Sequence, residues 1–178
     1  MLEFLTLPAL KTLEITSSEI IDYLLPLLDR SEPSLQRLTL FTMRNDDLDI
    51  SPWPLHIVQD CFRLTTTLTH LKLCGTHADL TPFITVLANA PTSLPNLTSF
   101  AILLVLPVRP DAEWYQQLVN AVSMCRTESS MQTFHLEWTA AAYHSHSQYD
   151  ANWKWEFVRE EDKDRLKSLA SDGLEVCC

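Results

Sequence analysis

Glycine is nearly absent from this chain: its 178 residues hold two, Gly75 and Gly173. Loops that cradle a phosphate need several glycines, so that backbone N–H groups can come close to the anion. A dinucleotide-binding fold and a P-loop are thereby excluded. Cations are also scarce, with 13 Lys and Arg against 23 Asp and Glu, a formal charge of −10 and a pI near 4.9. Without a cationic field to neutralise phosphates, no nucleic-acid partner is expected. The balance favours solubility and a basic partner. Long apolar runs are missing as well. The longest, Phe100 to Val108, is roughly half the ~20 residues of a membrane helix, so no membrane partner is expected. The apolar start, Met1 to Leu10, is interrupted by Glu3 and has no basic residue before it, which is not the make-up of a secretory signal. Five cysteines, an odd number without regular spacing, read as reduced thiols of a cytoplasmic or nuclear protein.

What the chain does have is one apolar phrase, L-x-x-L-x-L, written five times. Its members are Leu10, Leu13, Ile15; Leu35, Leu38, Leu40; Leu68, Leu71, Leu73; Leu97, Phe100, Ile102; and Met131, Phe134, Leu136. The first positions are separated by 25, 33, 29 and 34 residues. Self-similarity on this scale predicts stacked units, each a strand with a return segment. Side chains alternate along a strand, so the second and third apolar positions point together into the core and the residues between them point out. The outward set is Thr12, Glu14, Thr16; Arg37, Thr39, Phe41; His70, Lys72, Cys74; Ser99, Ala101, Leu103; and Thr133, His135, Glu137. It is mostly polar, as an open sheet face requires. The fourth strand is nearly all apolar from Phe100 to Val105, which leaves its register or a second cover open.

Helical spacing fills the intervals. Ser17 and Ser18 read as a cap ahead of Glu19 and a stripe of Ile20, Ile21, Leu24, Leu25, Leu27 and Leu28, which Pro26 should kink or end early. A helix over Leu55 to Leu64 should bury Leu55, Val58, Cys61 and Phe62. A third, about Asp79 to Ala88, accommodates Pro82 only in its first turn. A fourth, Asp111 to Met124, carries Trp114, Leu118, Ala121 and Val122 on one side. The last, about Glu160 to Ser171, should stop at Gly173 with a wet face of Glu160, Glu161, Asp162, Lys163, Asp164 and Arg165. The expected class is therefore α/β, about five strand-helix units with a parallel sheet on the concave side and helices on the convex side. Residues 1–139 form the arc. Residues 140–178 form an aromatic-rich loop and a capping helix.

In wording, "LTLPALKTLEI", "LLPLLDRSEPSLQRLTL", "CFRLTTTLTHLKLCG" and "LKSLASDGLEV" resemble the leucine-rich repeat region of fungal F-box-type proteins. The resemblance extends over essentially the whole chain. It implies a substrate-recognition arm of a ubiquitin-ligase receptor, in which the repeat arc holds the protein to be ubiquitinated. An F-box is not among these residues, so a Skp-type adaptor is expected only through an upstream segment. The Asn or Cys usual three residues after the phrase is replaced by Ser18, Met43, Thr76, Val105 and Thr139. The opening "LEFLTL" reads as the tail of an earlier repeat without a polar cap, as in a C-terminal piece, a shortened product or a partner-covered end.

The expected function is non-enzymatic protein binding through the outward residues Arg37, Phe41, His70, Lys72, Leu103, His135 and Glu137, with no catalytic residue, metal or cofactor. Two other readings stand beside it. One is a small Cys/His hydrolase or metal-dependent enzyme using His70 and Cys74, at least ~7 Å apart by strand geometry, or the His144 and His146 pair with His135 and Asp150 nearby. The other is a shortened structural remnant without an independent role. The terminal Cys177-Cys178 is like a prenylation signal but lacks a GTPase around it. Trp138, Tyr143, Tyr149, Trp153, Trp155 and Phe157 suit an end cap or a partner contact, and Trp53, between two prolines, suits either. Asn96-Leu97-Thr98 is a sequon at the start of a strand.

Overall fold

The computed structural model describes residues 6–16, 21–42, 53–106, 110–140, 160–171 and 175–177. Strands and helices alternate: β1 Thr12–Ile15, α1 Ile21–Ser31, β2 Arg37–Phe41, α2 Leu55–Leu64, β3 His70–Gly75, α3 His77–Asn89, β4 Ser99–Leu106, α4 Ala112–Glu128, β5 Thr133–Ala140, α5 Glu160–Ser171 and β6 Glu175–Cys177. The six strands form one sheet in chain order, every pair parallel. Parallel neighbours need a crossover, and each helix supplies one.

The repeated phrase sets the register. Leu13, Leu38, Leu71, Phe100 and Phe134 align across the sheet, as do Ile15, Leu40, Leu73, Ile102 and Leu136. From β2 to β5 these residues are at most 1% exposed, and they share one hydrophobic core with Leu24 and Leu28 of α1, Val58 and Phe62 of α2, Phe83 and Leu87 of α3, and Leu118 and Val122 of α4. The helices therefore cover one face of the sheet, and consecutive helices touch. Register β4 is unambiguous, because Phe100, Ile102 and Leu104 enter the core while Ala101 and Leu103 are half-buried on the other face.

The entry to each strand is built the same way. The first Leu of the phrase closes a turn: Leu10 N–H donates to the Leu7 carbonyl, Leu68 to Thr65 and Leu97 to Leu94, at 2.9–3.1 Å. One carbonyl per unit then receives two successive N–H groups from the next unit. Lys11 accepts from Gln36 and Arg37, Gln36 from Thr69 and His70, Thr69 from Thr98 and Ser99, and Thr98 from Gln132 and Thr133. The hydroxyls of Thr69 and Thr98 donate to the same carbonyls, of Gln36 and Thr69. These contacts satisfy the groups that a parallel ladder leaves unpaired at its start.

Several expectations need correction. α1 runs past Pro26 to Ser31, because Leu24, Leu27 and Leu28 are anchored in the apolar layer on both sides of the proline. α3 begins two residues earlier than its apolar stripe, which puts Pro82 beyond the first turn. The Thr76 hydroxyl caps it, accepting from Asp79 N–H and donating to the Asp79 carboxylate. Leu55 is exposed, since it starts α2 on the outer side. Trp53 is 5% exposed and packs on Phe83 with ring centroids 5.1 Å apart, so it belongs to the core. β6 was not legible; it pairs with β5 after α5 and extends the sheet beyond residue 139. Ser17, Ser18, Gly173 and Tyr143, Tyr149, Trp153, Trp155 and Phe157 lie outside the described residues.

Two positions give sharp expectations. Asp111 caps α4, its carboxylate accepting from the Trp114 N–H at 2.8 Å. Asp111→Ala should lower stability by about 1 kcal/mol in urea titration. Gly75 lies against Thr42, and a Cβ there would overlap Thr42 Oγ1. That hydroxyl is buried and donates to the Cys74 carbonyl at 3.1 Å. Gly75→Ala should cost about 1–3 kcal/mol by overpacking, and Thr42→Ala in the same chain should recover part of it.

Candidate functional site

The face turned away from the helices is arranged in rows by strand register. The first row is Thr12, Arg37, His70, Ser99 and Thr133; the second is Glu14, Thr39, Lys72, Ala101 and His135; the third is Phe41, Cys74, Leu103 and Glu137. Neighbours within a row are ~4.8 Å apart and successive rows ~7 Å. Arg37, His70, Lys72 and Glu137 are exposed, and Phe41, Leu103 and His135 are half-buried. All seven expected contact residues therefore share this face. On β6, Glu175 pairs with Thr133 and Cys177 with His135 in backbone register.

Hydrogen bonding fixes one member. Thr69 Oγ1 lies 2.8 Å from His70 Nδ1 and 2.9 Å from the Gln36 carbonyl. A hydroxyl has one proton to give. With that proton on the carbonyl, the threonine oxygen is left to accept from His70 Nδ1–H.

Cys74 departs from the expectation of an exposed thiol. It has no accessible surface, yet its register puts it on the open face, outside the hydrophobic cluster beneath the helices. In its row it stands between Phe41 and Leu103, which are larger and half-buried, and a small side chain so flanked is shielded. Burial pushes the thiol pKa up; Lys72 pulls it back, and Glu14 and Glu137 raise it further. These three charged residues are open-face residues. A raised thiol is a poor nucleophile. His70 and Cys74 are four positions apart along β3, ~13 Å, so the two are not brought together as nucleophile and base.

The thiols of Cys61 and Cys125 are no better placed for chemistry. Cys61 and Cys125 are each 1% exposed, and burial pushes both up to about 12. Among the described residues no group of three or more His, Cys, Asp or Glu is placed to hold a metal ion. His144, His146 and Asp150 lie outside those residues. No described helix is long and apolar enough to cross a membrane.

Sequence reasoning located the rows because alternation and a fixed phrase determine them. It missed the threonines at the strand entrances, although Thr69 and Thr98 each follow the first Leu of the phrase, which is a readable signal. Compared with family models, curated proteins and solved structures, the chain matches none.

Proposed function

We propose that this chain is a leucine-rich repeat arc acting as a non-enzymatic protein-binding module, of the kind that serves as the substrate-recognition arm of an F-box receptor. The observation that carries this reading is the asymmetry of the sheet: one face is sealed by helices, and the other presents Arg37, Phe41, His70, Lys72, Leu103, His135 and Glu137 in registered rows. A hydrogen-bonded parallel sheet already holds the backbone of these rows in place, so binding pays for ordering side chains but not for ordering backbone. Equilibrium capture of a protein partner is the mechanism. A ubiquitination substrate is the partner this reading implies, and a Skp-type adaptor would join only through an upstream F-box.

The test is affinity capture from source-cell extract with the whole chain and with its Arg37→Ala, Phe41→Ala, Lys72→Ala triple variant. Arg37→Ala and Lys72→Ala are surface changes, typically within about 0.5 kcal/mol each. Phe41→Ala truncates a half-buried side chain and should cost more, and unfolding curves should show the triple variant still folded. A partner retained by the parent and lost from the variant supports the reading. Identical retention by both folded proteins would sink it.

A further inference from the structure

We infer that the open face takes a short extended peptide with an acidic centre followed by a bulky apolar side chain. The inference rests on the binding reading above and specifies its chemistry. It also reverses what net charge suggests, because the partner contact is set by local rather than total charge.

Crossing the sheet from β1 to β5, the face presents a definite order of groups. Glu14 comes first, on β1. Arg37 on β2 follows, with His70 beside it in register on β3 and Lys72 two residues along the same strand. Phe41 and Leu103 then offer apolar surface one row further along. Glu137 stands on β5. The two permanent cations are thus neighbours at the centre, and the two carboxylates lie on either side.

Arg37 and Lys72 are both exposed, and neither forms an ion pair among the described residues. Two adjacent like charges repel each other, and a ligand carboxylate between them relieves that repulsion. Arg can bind it bidentately, while Lys contributes a point charge. The half-buried Phe41 and Leu103 still turn part of their apolar surface outward, and an apolar side chain beside the carboxylate can cover it. From β1 to β5 is four strand spacings, ~19 Å, which an extended chain of about six residues crosses. A long polyanion would meet Glu14 and Glu137 at its ends and the protein's −10 beyond them. The favoured occupant is therefore a brief acidic pair with an apolar neighbour and neutral or basic flanks.

The experiment uses three fluorescein-labelled peptides with Gly-Ser ends and fluorescence anisotropy with the full chain. The first contains Lys-Asp-Asp-Leu-Lys, the second replaces both Asp by Lys, and the third replaces Leu by Ser. The first should bind most tightly, and Lys72→Glu should weaken it by about tenfold or more. Arg37→Ala should weaken it too, and Glu14→Ala and Glu137→Ala, which remove carboxylates at the two ends facing the Lys flanks, should weaken it by less than Lys72→Glu does. Circular dichroism and urea titration confirm that each variant is folded. Tighter binding of the all-basic peptide, lost on Glu14→Ala or Glu137→Ala, would overturn the acidic preference while leaving the face as a binding surface. Binding indifferent to every one of these substitutions would overturn the face itself. No measurable binding of any of the three would overturn the proposed peptide class.

Discussion

Replacing Phe100 by alanine should lower the unfolding free energy by about 3–5 kcal/mol, read as a shift of the urea midpoint with an unchanged slope. Phe100 has no accessible surface and sits in the innermost row, between Leu71 on β3 and Phe134 on β5. Its ring centroid lies 5.6 Å from that of Phe134, the planes tilted by 41°. Truncation removes apolar contact on all sides, in a layer where both neighbouring strands are held by ladders and cannot close the gap. The aromatic pair adds about 0.5–1.5 kcal/mol beyond burial. Phe134→Ala should accordingly cost a similar amount, and the double variant less than the two single losses together. Equal and additive losses would mean that the rings do not interact. A loss below about 1 kcal/mol would place Phe100 at a site able to collapse, contrary to the packing described.

Alkaline conditions should unfold this protein through its buried thiols. Burial raises Cys61, with Asp60 adding to the effect, and burial alone raises Cys125; both are pushed from 9.0 to about 12. Between pH 9 and 12 the unfolded chain therefore holds fewer protons at these sites than the folded chain does. Stability must fall as pH rises through that window, with a slope approaching about 1.4 kcal/mol per pH unit for each thiol. The contribution is fully present below pH 9. Tyr115, also raised by burial, steepens the loss above pH 10. The check is a series of urea midpoints from pH 7.5 to 10.5 for the parent chain and for the Cys61→Ala, Cys125→Ala variant. The variant should be less stable at pH 7.5 and visibly flatter above pH 9. Parallel curves would show that the thiols do not govern the alkaline limb.

The legible and illegible parts of the fold differ for physical reasons. Strands β1, β2, β3 and β5 were readable because core residues at alternate positions leave one choice of facing, which the phrase repeats. In β4 the apolar run from Phe100 to Val105 leaves that choice open, and pairing with β3 and β5 decides it. α2, with Leu55 and Leu64 as its bounds, and α5, from Glu160 to Ser171, were readable from periodicity and breakers. The starts of α3 and α4 were misread for a common reason, a capping side chain outside the apolar stripe, while α4 also runs four residues past Met124 to Glu128 with Cys125 buried in its last turn. Asp111 is the cap of α4 rather than its first residue, and Thr76 with Asp79 starts α3 ahead of its first buried leucine. β6 has three residues and no copy of the phrase, so only its pairing with β5 defines it. For the face itself, the positions of Arg37, His70, Lys72 and Glu137 followed from alternation. The shielding of Cys74 did not, since it depends on the sizes of Phe41 and Leu103 in other strands.

Each strand bonds only to the strands next to it in the chain, with shared carbonyls at Lys11, Gln36, Thr69 and Thr98. Pulled between β1 and β6, such a sheet carries load across its ladders rather than along them. Hydrogen bonds then yield one ladder at a time, as in a zip, instead of shearing together. Stretching single molecules should give a series of small, low-force steps, and strand-helix units still in place should keep their own rows of the open face.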